Sequence, residues 1–481
     1  MIANKGGQYR PLTQSDVKLV HDSVMTLLEK GGVRIFTKTG REAFEKAGAN
    51  VDQSTNLVRI PGSMVQDAID TAPSKLVLCG RDPENDCTLE GSNVYLGTGG
   101  TAINVLDMKT GRRRRSTNQD VRAMARLVDA LKNIHVFTIN VYPNEVANID
   151  EVDVNRFYSS ITNTSKHVMG GIYSEKGVRS VVEMSAMIAG GMERLRERPF
   201  VSFITLIISP LKIDDNYGEF TCYLAKEGLP VVVPTEPLCG NTSPITLASN
   251  VVMHTAETLA GVVMTQLINP GAPVICGSVG SITDLRTMGH LSGSIERGMI
   301  NAAVSQMAQY YKLPYYSTAG TSDSKVVDAQ AGYESGMMNL LVAMSGANYI
   351  HDAAGLMEFD LTASYEKMVI DDEIIGRCLR VLRGIEFNDE TIALDLMLEV
   401  NSGRTDFFSA DHTIRYMRSE FTPNTISDIR RREEWEASGS NDTADRAHDA
   451  ALKILAEHRP MTIDPDVNRQ ILDRFPFVRP E

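Results

Sequence analysis

Residues 229–280 read LPVVVPTEPLCGNTSPITLASNVVMHTAETLAGVVMTQLINPGAPVICGSVG. Pro230–Val233 is a short apolar, β-branched run introduced by a Leu-Pro step, which favours extended backbone before it. Ser243-Pro244 then opens a long helical stretch to Ile268, and Asn269-Pro270-Gly271 stops it. Ala272-Pro273 leads into a second apolar run, Val274–Gly277. A strand, a helix and a strand in this order form a βαβ unit, whose parallel strands are buried on both faces.

The same alternation extends in both directions. Further strand runs are Val94–Gly97, Val136–Asn140, His167–Gly170 and Val201–Thr205 upstream, with Tyr315–Thr318 and Asn348–His351 downstream. Helical stretches lie between them. Thr117 and Asp120 make a capping-box-like start for one, followed by Val121, Met124, Ala125, Val128 and Leu131 at helical spacing. Eight β/α pairs predict an α/β fold, a TIM (β/α)8 barrel with helical N-terminal and C-terminal additions. A doubly wound sheet is the rival, but no GxGxxG follows the first strand. The predicted parts are a helical extension over 1–88, the barrel over 89–371 and a helical region over 372–481. In the extension, Val17, Val20, Val24, Leu27 and Leu28 form a helical stripe.

Composition limits the function. The 481 residues carry 48 Lys plus Arg against 61 Asp plus Glu, a formal charge of −13. Such a field repels phosphate, so a nucleic-acid partner is not expected. Arg112–Arg115 is the one strong basic run, either a solvated turn or a dock for an acidic partner. The six cysteines form no CxxC, and Cys239 and Cys276 lack neighbours at zinc-ligand spacing, so no metal site is predicted. The start, Met1 to Gly7, has no apolar h-region, and the most apolar stretch, 245–268, contains His254 and Glu257. A cytoplasmic protein without a membrane partner is expected.

In a (β/α)8 barrel, chemistry sits after the strands. Candidates there are Glu236 in Thr235-Glu236-Pro237, Gly320 and the loop to Lys325, and His351, Gly355 and Phe359 after the last strand; Tyr95 lies on the first. Each has a structural alternative. His351 suits a satisfied strand-end histidine, Glu236 a loop orienter, Tyr95 and Phe359 barrel packing, and Gly97, Gly99 and Gly100 a tight turn. Asp323 with Lys325 suits a loop ion pair, and Asp371-Asp372-Glu373 a helix start.

The stretch Gly320-Thr321-Ser322-Asp323-Ser324-Lys325-Val326-Val327-Asp328-Ala329-Gln330-Ala331-Gly332-Tyr333-Glu334 resembles the trimethylamine methyltransferase family. Gly346-Ala347-Asn348-Tyr349-Ile350-His351, Gly355-Leu356, Val369–Glu373, Asp411-His412-Thr413, Arg415, Arg418 and Trp435 carry the same resemblance, which spans about residues 10–440. It implies a barrel that passes a methyl group to a cobalt corrinoid (cobalamin) held by a partner protein, in a homo-oligomeric enzyme. Founding members use pyrrolysine; this chain has standard residues only, so it looks like the branch acting on glycine betaine, proline betaine, carnitine or γ-butyrobetaine. Glycine betaine going to dimethylglycine is the first expectation, and a non-catalytic betaine-binding barrel the rival. A quaternary ammonium needs no general acid, so no catalytic side chain is expected. On this resemblance Tyr95 and Phe359 cage the ammonium, Glu236 adds field, and His351 with N–H groups near Gly320 or Gly355 holds the carboxylate.

Overall fold

A computed structural model describes residues 4–480. Eight parallel strands form its centre: β1 (Asn93–Thr98), β2 (Val136–Thr138), β3 (His167–Gly171), β4 (Val201–Ile204), β5 (Val231–Thr235), β6 (Val274–Ser278), β7 (Tyr315–Thr318) and β8 (Tyr349–Ala354). They pair in chain order, and β8 pairs back with β1 through Tyr349 opposite Tyr95, which closes the barrel. All eight predicted runs fall on these strands. The outer helices are α1 (Asn118–Ala130), α2 (Ile149–Ile161), α3 (Glu175–Ala189), α4 (Asp215–Glu227), α5 (Leu247–Ile268), α6 (Ile295–Tyr311), α7 (Ala329–Ser345) and α8 (Tyr365–Arg383). Of these α5 is long and apolar enough to cross a membrane, but 78% of its apolar window is buried in the barrel wall.

The barrel interior is packed with Tyr95, Val136, Met169, Val232, Ile275, Tyr316 and Tyr349. Gly97 is required there: a Cβ would lie 2.4 Å from the Tyr349 hydroxyl. That hydroxyl instead reaches Thr138 Oγ1 at 2.7 Å and the Thr98 carbonyl at 3.1 Å. A hairpin, Leu76–Leu78 with Cys87–Leu89, packs into the same cluster and closes the N-terminal end.

The N-terminal extension is less helical than its sequence predicts. It has helices at Gln14–Thr26, Lys38–Lys46 and Gly62–Thr71, but Val33–Ile35, Asn50–Asp52 and Leu57–Arg59 form a sheet with Lys212–Ile213. Three-residue strands are too short to show a period of two. The sequence boundary at 371/372 also falls inside an element, because α8 runs through it. Asp371, Asp372 and Glu373 do not start a helix; they lie within α8, and each carboxylate ties it to a different segment. Asp372 accepts from the Asn133 N–H at 2.8 Å. Glu373 accepts from the backbone N–H groups of Thr425, Ile426 and Ser427. Beyond that return point, helix Thr443–Glu457 packs Ala447 and Ala451 against α8 and α1.

Two buried acids bind the loops at the open end. Asp371 pairs with Lys367 at 2.7 Å, both side chains 1% exposed. Lys367 also donates to the Gly320 carbonyl, and Asp371 accepts from the Gly355 N–H at 2.7 Å. The loops after β7 and β8 are therefore fixed to α8. On α5, Glu257 accepts from Ser209, Thr235 and the Leu211 N–H. Burial pushes its pKa up to about 7 against the pull of those donors.

Lys367→Met leaves the buried Asp371 carboxylate without its counter-charge, which costs about 3–5 kcal/mol; urea unfolding of Lys367→Met should show it, with a smaller loss for Lys367→Met/Asp371→Leu. For Glu257, native protein holds a proton between pH 4.5 and about 7 that the unfolded chain has released. Its contribution to stability therefore falls as pH rises through that window. Stability measured against pH should show a decline that is shallower in Glu257→Gln.

Candidate active site

The C-terminal end of the barrel is held by one arginine. Arg297, in the first turn of α6, is 2% exposed. Its Nη1 donates to Thr321 Oγ1 at 2.9 Å and to Asp360 Oδ2 at 3.0 Å, and its Nη2 lies 3.4 Å from Asp352 Oδ2. Thr318 Oγ1 donates to the same Asp352 oxygen at 2.8 Å. His290 Nε2 stands 3.5 Å from Asp360. Burial alone would raise the Asp360 pKa, but Arg297 and His290 hold it well below the usual carboxylate range.

Several polar atoms in this cluster have no protein partner. Among the described residues, Arg297 Nε, His290 Nδ1, Asp352 Oδ1 and Asp360 Oδ1 are all buried and unpaired. Buried polar groups are ordinarily satisfied, so this concentration marks a place for water or a ligand. Glu236 adds a third carboxylate. Its side chain is open to solvent. Enclosing protein nevertheless raises its pKa, with His290 and Arg297 pulling the other way. Three carboxylates thus face one guanidinium, and the mouth has a surplus of negative charge.

The backbone that delivers these groups is strained. Asp352 has φ 60°, and Glu358, Phe359 and Asp360 have φ 51°, 61° and 66° in succession. Non-glycine residues avoid this region, and such residues gather at functional sites. Glu358 is held there by Arg113 at 3.0 Å and Thr362 at 3.0 Å, and Asp360 by Arg297. Arg113 belongs to the basic run, now a strand Arg113–Arg115 in a hairpin with Asn104–Leu106. Arg114 pairs with Asp107 and Asp120. The run is neither a turn nor wholly solvated.

The expected site residues divide. Glu236, His351 and Phe359 are at the mouth. His351 is 4% exposed, stacks on Tyr316 with ring centroids 4.2 Å apart, and places Nδ1 2.7 Å from the Ser317 carbonyl and Nε2 2.9 Å from Asp352. Both nitrogens face protein acceptors, so it orients Asp352 and has no spare donor. The face of Phe359 holds Lys325 Nζ 4.4 Å from the ring centroid. Lys325 bonds the Asp323 carbonyl rather than its carboxylate, which accepts from Ser292. Tyr95 is not at the mouth: its hydroxyl accepts from the Thr88 N–H of the closing hairpin at 3.1 Å. Neighbouring strands put Tyr95 beside Tyr349, a full strand below Phe359. Gly355 has its N–H committed to Asp371, and Gly320 is packed where a Cβ would meet Ala353 at 2.7 Å. At Gly99 a Cβ would fall 2.3 Å from Asp352 Oδ1, so the glycine makes room for that carboxylate.

Sequence reading missed Arg297, His290, Asp352 and Asp360, and a pair of tyrosines. Tyr142, beyond β2, and Tyr173, beyond β3, meet edge to face with centroids 5.5 Å apart. Both are partly exposed, and the Arg156 guanidinium sits 5.0 Å from the Tyr173 ring. Their place after strands was a signal; Arg297 gave a weaker one, as the third residue after the α6 cap Ser294.

Residues 1–477 match the family model described as trimethylamine methyltransferase. A trimethylamine methyltransferase of Desulfitobacterium hafniense strain DSM 10664 / DCB-2 is 37% identical, over 93% of this chain and 90% of that protein. A glycine betaine methyltransferase of D. hafniense strain Y51 is 33% identical over 96% of both chains. Among solved structures, the monomethylamine methyltransferase of Methanosarcina barkeri superposes with a TM-score of 0.53, covering 95% of each chain at 14% identity, and so shares the fold. A closed eight-stranded barrel, a polar mouth at its C-terminal end and full-length similarity agree, and the chain belongs to the trimethylamine methyltransferase family and is a methyltransferase.

Proposed function

We propose that this methyltransferase demethylates a quaternary amine, glycine betaine to dimethylglycine first among them, and that the methyl passes to the Co(I) corrinoid of a separate protein. The observation that carries this is the acid-lined mouth, in which Glu236, Asp352 and Asp360 outnumber Arg297. Net negative charge at the mouth of a barrel attracts a cation. No proton donor is needed, because the leaving group is already a neutral tertiary amine. The reduced corrinoid supplies the nucleophile that takes the methyl carbon, and the C–N bonding pair stays on nitrogen.

The chain's task is then binding and alignment. The carboxylates attract the ammonium, and Tyr142 and Tyr173 offer ring faces worth about 0.5–2 kcal/mol per contact. These tyrosines replace Tyr95, which the closing hairpin occupies. A betaine also carries a carboxylate. Arg297 Nε, a buried donor with no partner among the described residues, is the donor this reading assigns to it. His351 acts through Asp352, which it holds at 2.9 Å. When the methyl leaves, the amine loses its positive charge and the acid wall loses its hold, which favours release. A corrinoid held by a partner agrees with a sequence that contains no Asp-x-His-x-x-Gly anchor.

The relatives are named for both trimethylamine and glycine betaine, so a substrate panel decides. Assayed with a reduced corrinoid protein, glycine betaine, proline betaine, carnitine, γ-butyrobetaine, choline and trimethylamine should separate into demethylated quaternary amines and unreacted trimethylamine. Turnover of trimethylamine alone would refute the proposal, and binding without any demethylated product would favour the betaine-binding barrel. Glu236→Gln keeps shape and removes one charge from a wetted position. It should raise KM for the cation about tenfold, a loss near 1.4 kcal/mol. It should also abolish the decline in kcat/KM expected at low pH as the raised Glu236 carboxyl takes up a proton. Unchanged KM and pH profile would remove Glu236 from the site.

A further inference from the structure

We propose that Lys325 is a specificity-determining residue, a tethered cation that leaves the ring of Phe359 to pair with the carboxylate of a zwitterionic substrate. This rests on the quaternary-amine reading above, and it accounts for how a betaine is told from a plain cation such as choline.

Lys325 carries a charge without a counter-charge. It lies in the loop after β7 and is exposed. Its Nζ stands 4.4 Å from the Phe359 ring centroid and donates to the Asp323 carbonyl at 2.7 Å. Among the described residues no carboxylate pairs with it, although its surroundings are acidic. Each nearby carboxylate is held by another group. Asp323 accepts from the N–H and Oγ of Ser292. Asp328 accepts from Ser324 Oγ and the Ala331 N–H, and Glu334 from Ser322 Oγ and the Asp323 N–H. Glu358 is taken by Arg113 and Thr362, and Asp360 by Arg297. An ammonium is drawn to any uncommitted carboxylate within reach. With these five committed, it rests on a ring face, where attraction at an exposed site is weak.

The backbone under this contact is fixed, and the side chain is not. The Ser322 N–H donates to the Leu356 carbonyl at 3.3 Å, and the Glu358 N–H to the Ser324 carbonyl at 3.2 Å. These bonds clip the loops after β7 and β8 together. Lys367 holds the Gly320 carbonyl from behind. Phe359 stands between Glu358 and Asp360, each tied to an arginine. Lys325 has only its carbonyl bond and the ring, on a flexible four-carbon stem with three rotatable donors.

The contact borders the mouth. Thr321, in the same loop, accepts from Arg297 Nη1, and Asp360, next to Phe359, shares that guanidinium. Arg297 is the group to which the betaine carboxylate is assigned above. Lys325 is a second cation on that side, exposed where Arg297 is buried. A betaine whose carboxylate arrives here offers Nζ an anion in place of a ring face and a carbonyl. Choline offers none and meets an added positive charge. Attraction for one and repulsion for the other both raise the preference for the zwitterion.

Isothermal titration calorimetry on the full chain tests this without a corrinoid protein, using glycine betaine and γ-butyrobetaine as zwitterions and choline as the plain cation. Lys325→Met keeps the stem and removes the charge. It should weaken the tighter-binding zwitterion about tenfold and leave choline unchanged or tighter, a loss of preference of about tenfold or more. Lys325→Arg should keep the preference to within about threefold. Both variants should melt as wild type does, because the side chain is exposed. A wild type that binds a zwitterion which Lys325→Met binds equally well would overturn the assignment and leave the quaternary-amine reading standing. So would a variant that loses zwitterion and choline in equal measure. A wild type that binds none of the three would overturn that reading and the role of Lys325 with it.

Discussion

Everything at the open end of the barrel depends on one buried guanidinium. Arg297 meets Thr321 after β7, Asp352 in β8, and Asp360 beyond it. A buried charge is costly unless paired, and here two carboxylates share it. The consequence is a mouth whose negative groups are held apart from one another without being cancelled. Glu236 then tips the balance further, and Asp352 Oδ1, Asp360 Oδ1 and Arg297 Nε stay buried without a partner among the described residues.

The strain at the end of β8 follows from the same constraint. To bring Asp352 and Asp360 onto one arginine, the chain adopts left-handed backbone at both and at the two residues before Asp360. Gly99 makes room for Asp352. Lys367 and Asp371 fix the loops from behind, and Arg113 pins Glu358. A rigid frame of this kind suits a reaction whose demand is alignment of a methyl group and not movement of a proton.

The barrel was legible because its strands, buried on both faces, read as continuous apolar runs, several of them entered through an X-Pro step. Glu236 and His351 were legible as groups at strand ends. What could not be read was height and partnership. Strand order correctly placed β1 beside β8, but Tyr95 pairs with Tyr349, ten residues before Phe359, and so faces the closing hairpin. His351 stood in the right place with its nitrogens already committed to Ser317 and Asp352. Arg297 was hidden in a helix, and Asp371, Asp372 and Glu373 looked like a helix start although three distant segments need them.

The central claim is that negative charge at the mouth receives a quaternary ammonium. A structure determined with glycine betaine bound tests it most directly. The ammonium should lie beside Glu236 and Asp352, within about 6 Å of a tyrosine ring at Tyr142 or Tyr173, with the betaine carboxylate toward Arg297. A betaine bound with its ammonium away from these carboxylates, or outside the C-terminal end of the barrel, would contradict the account.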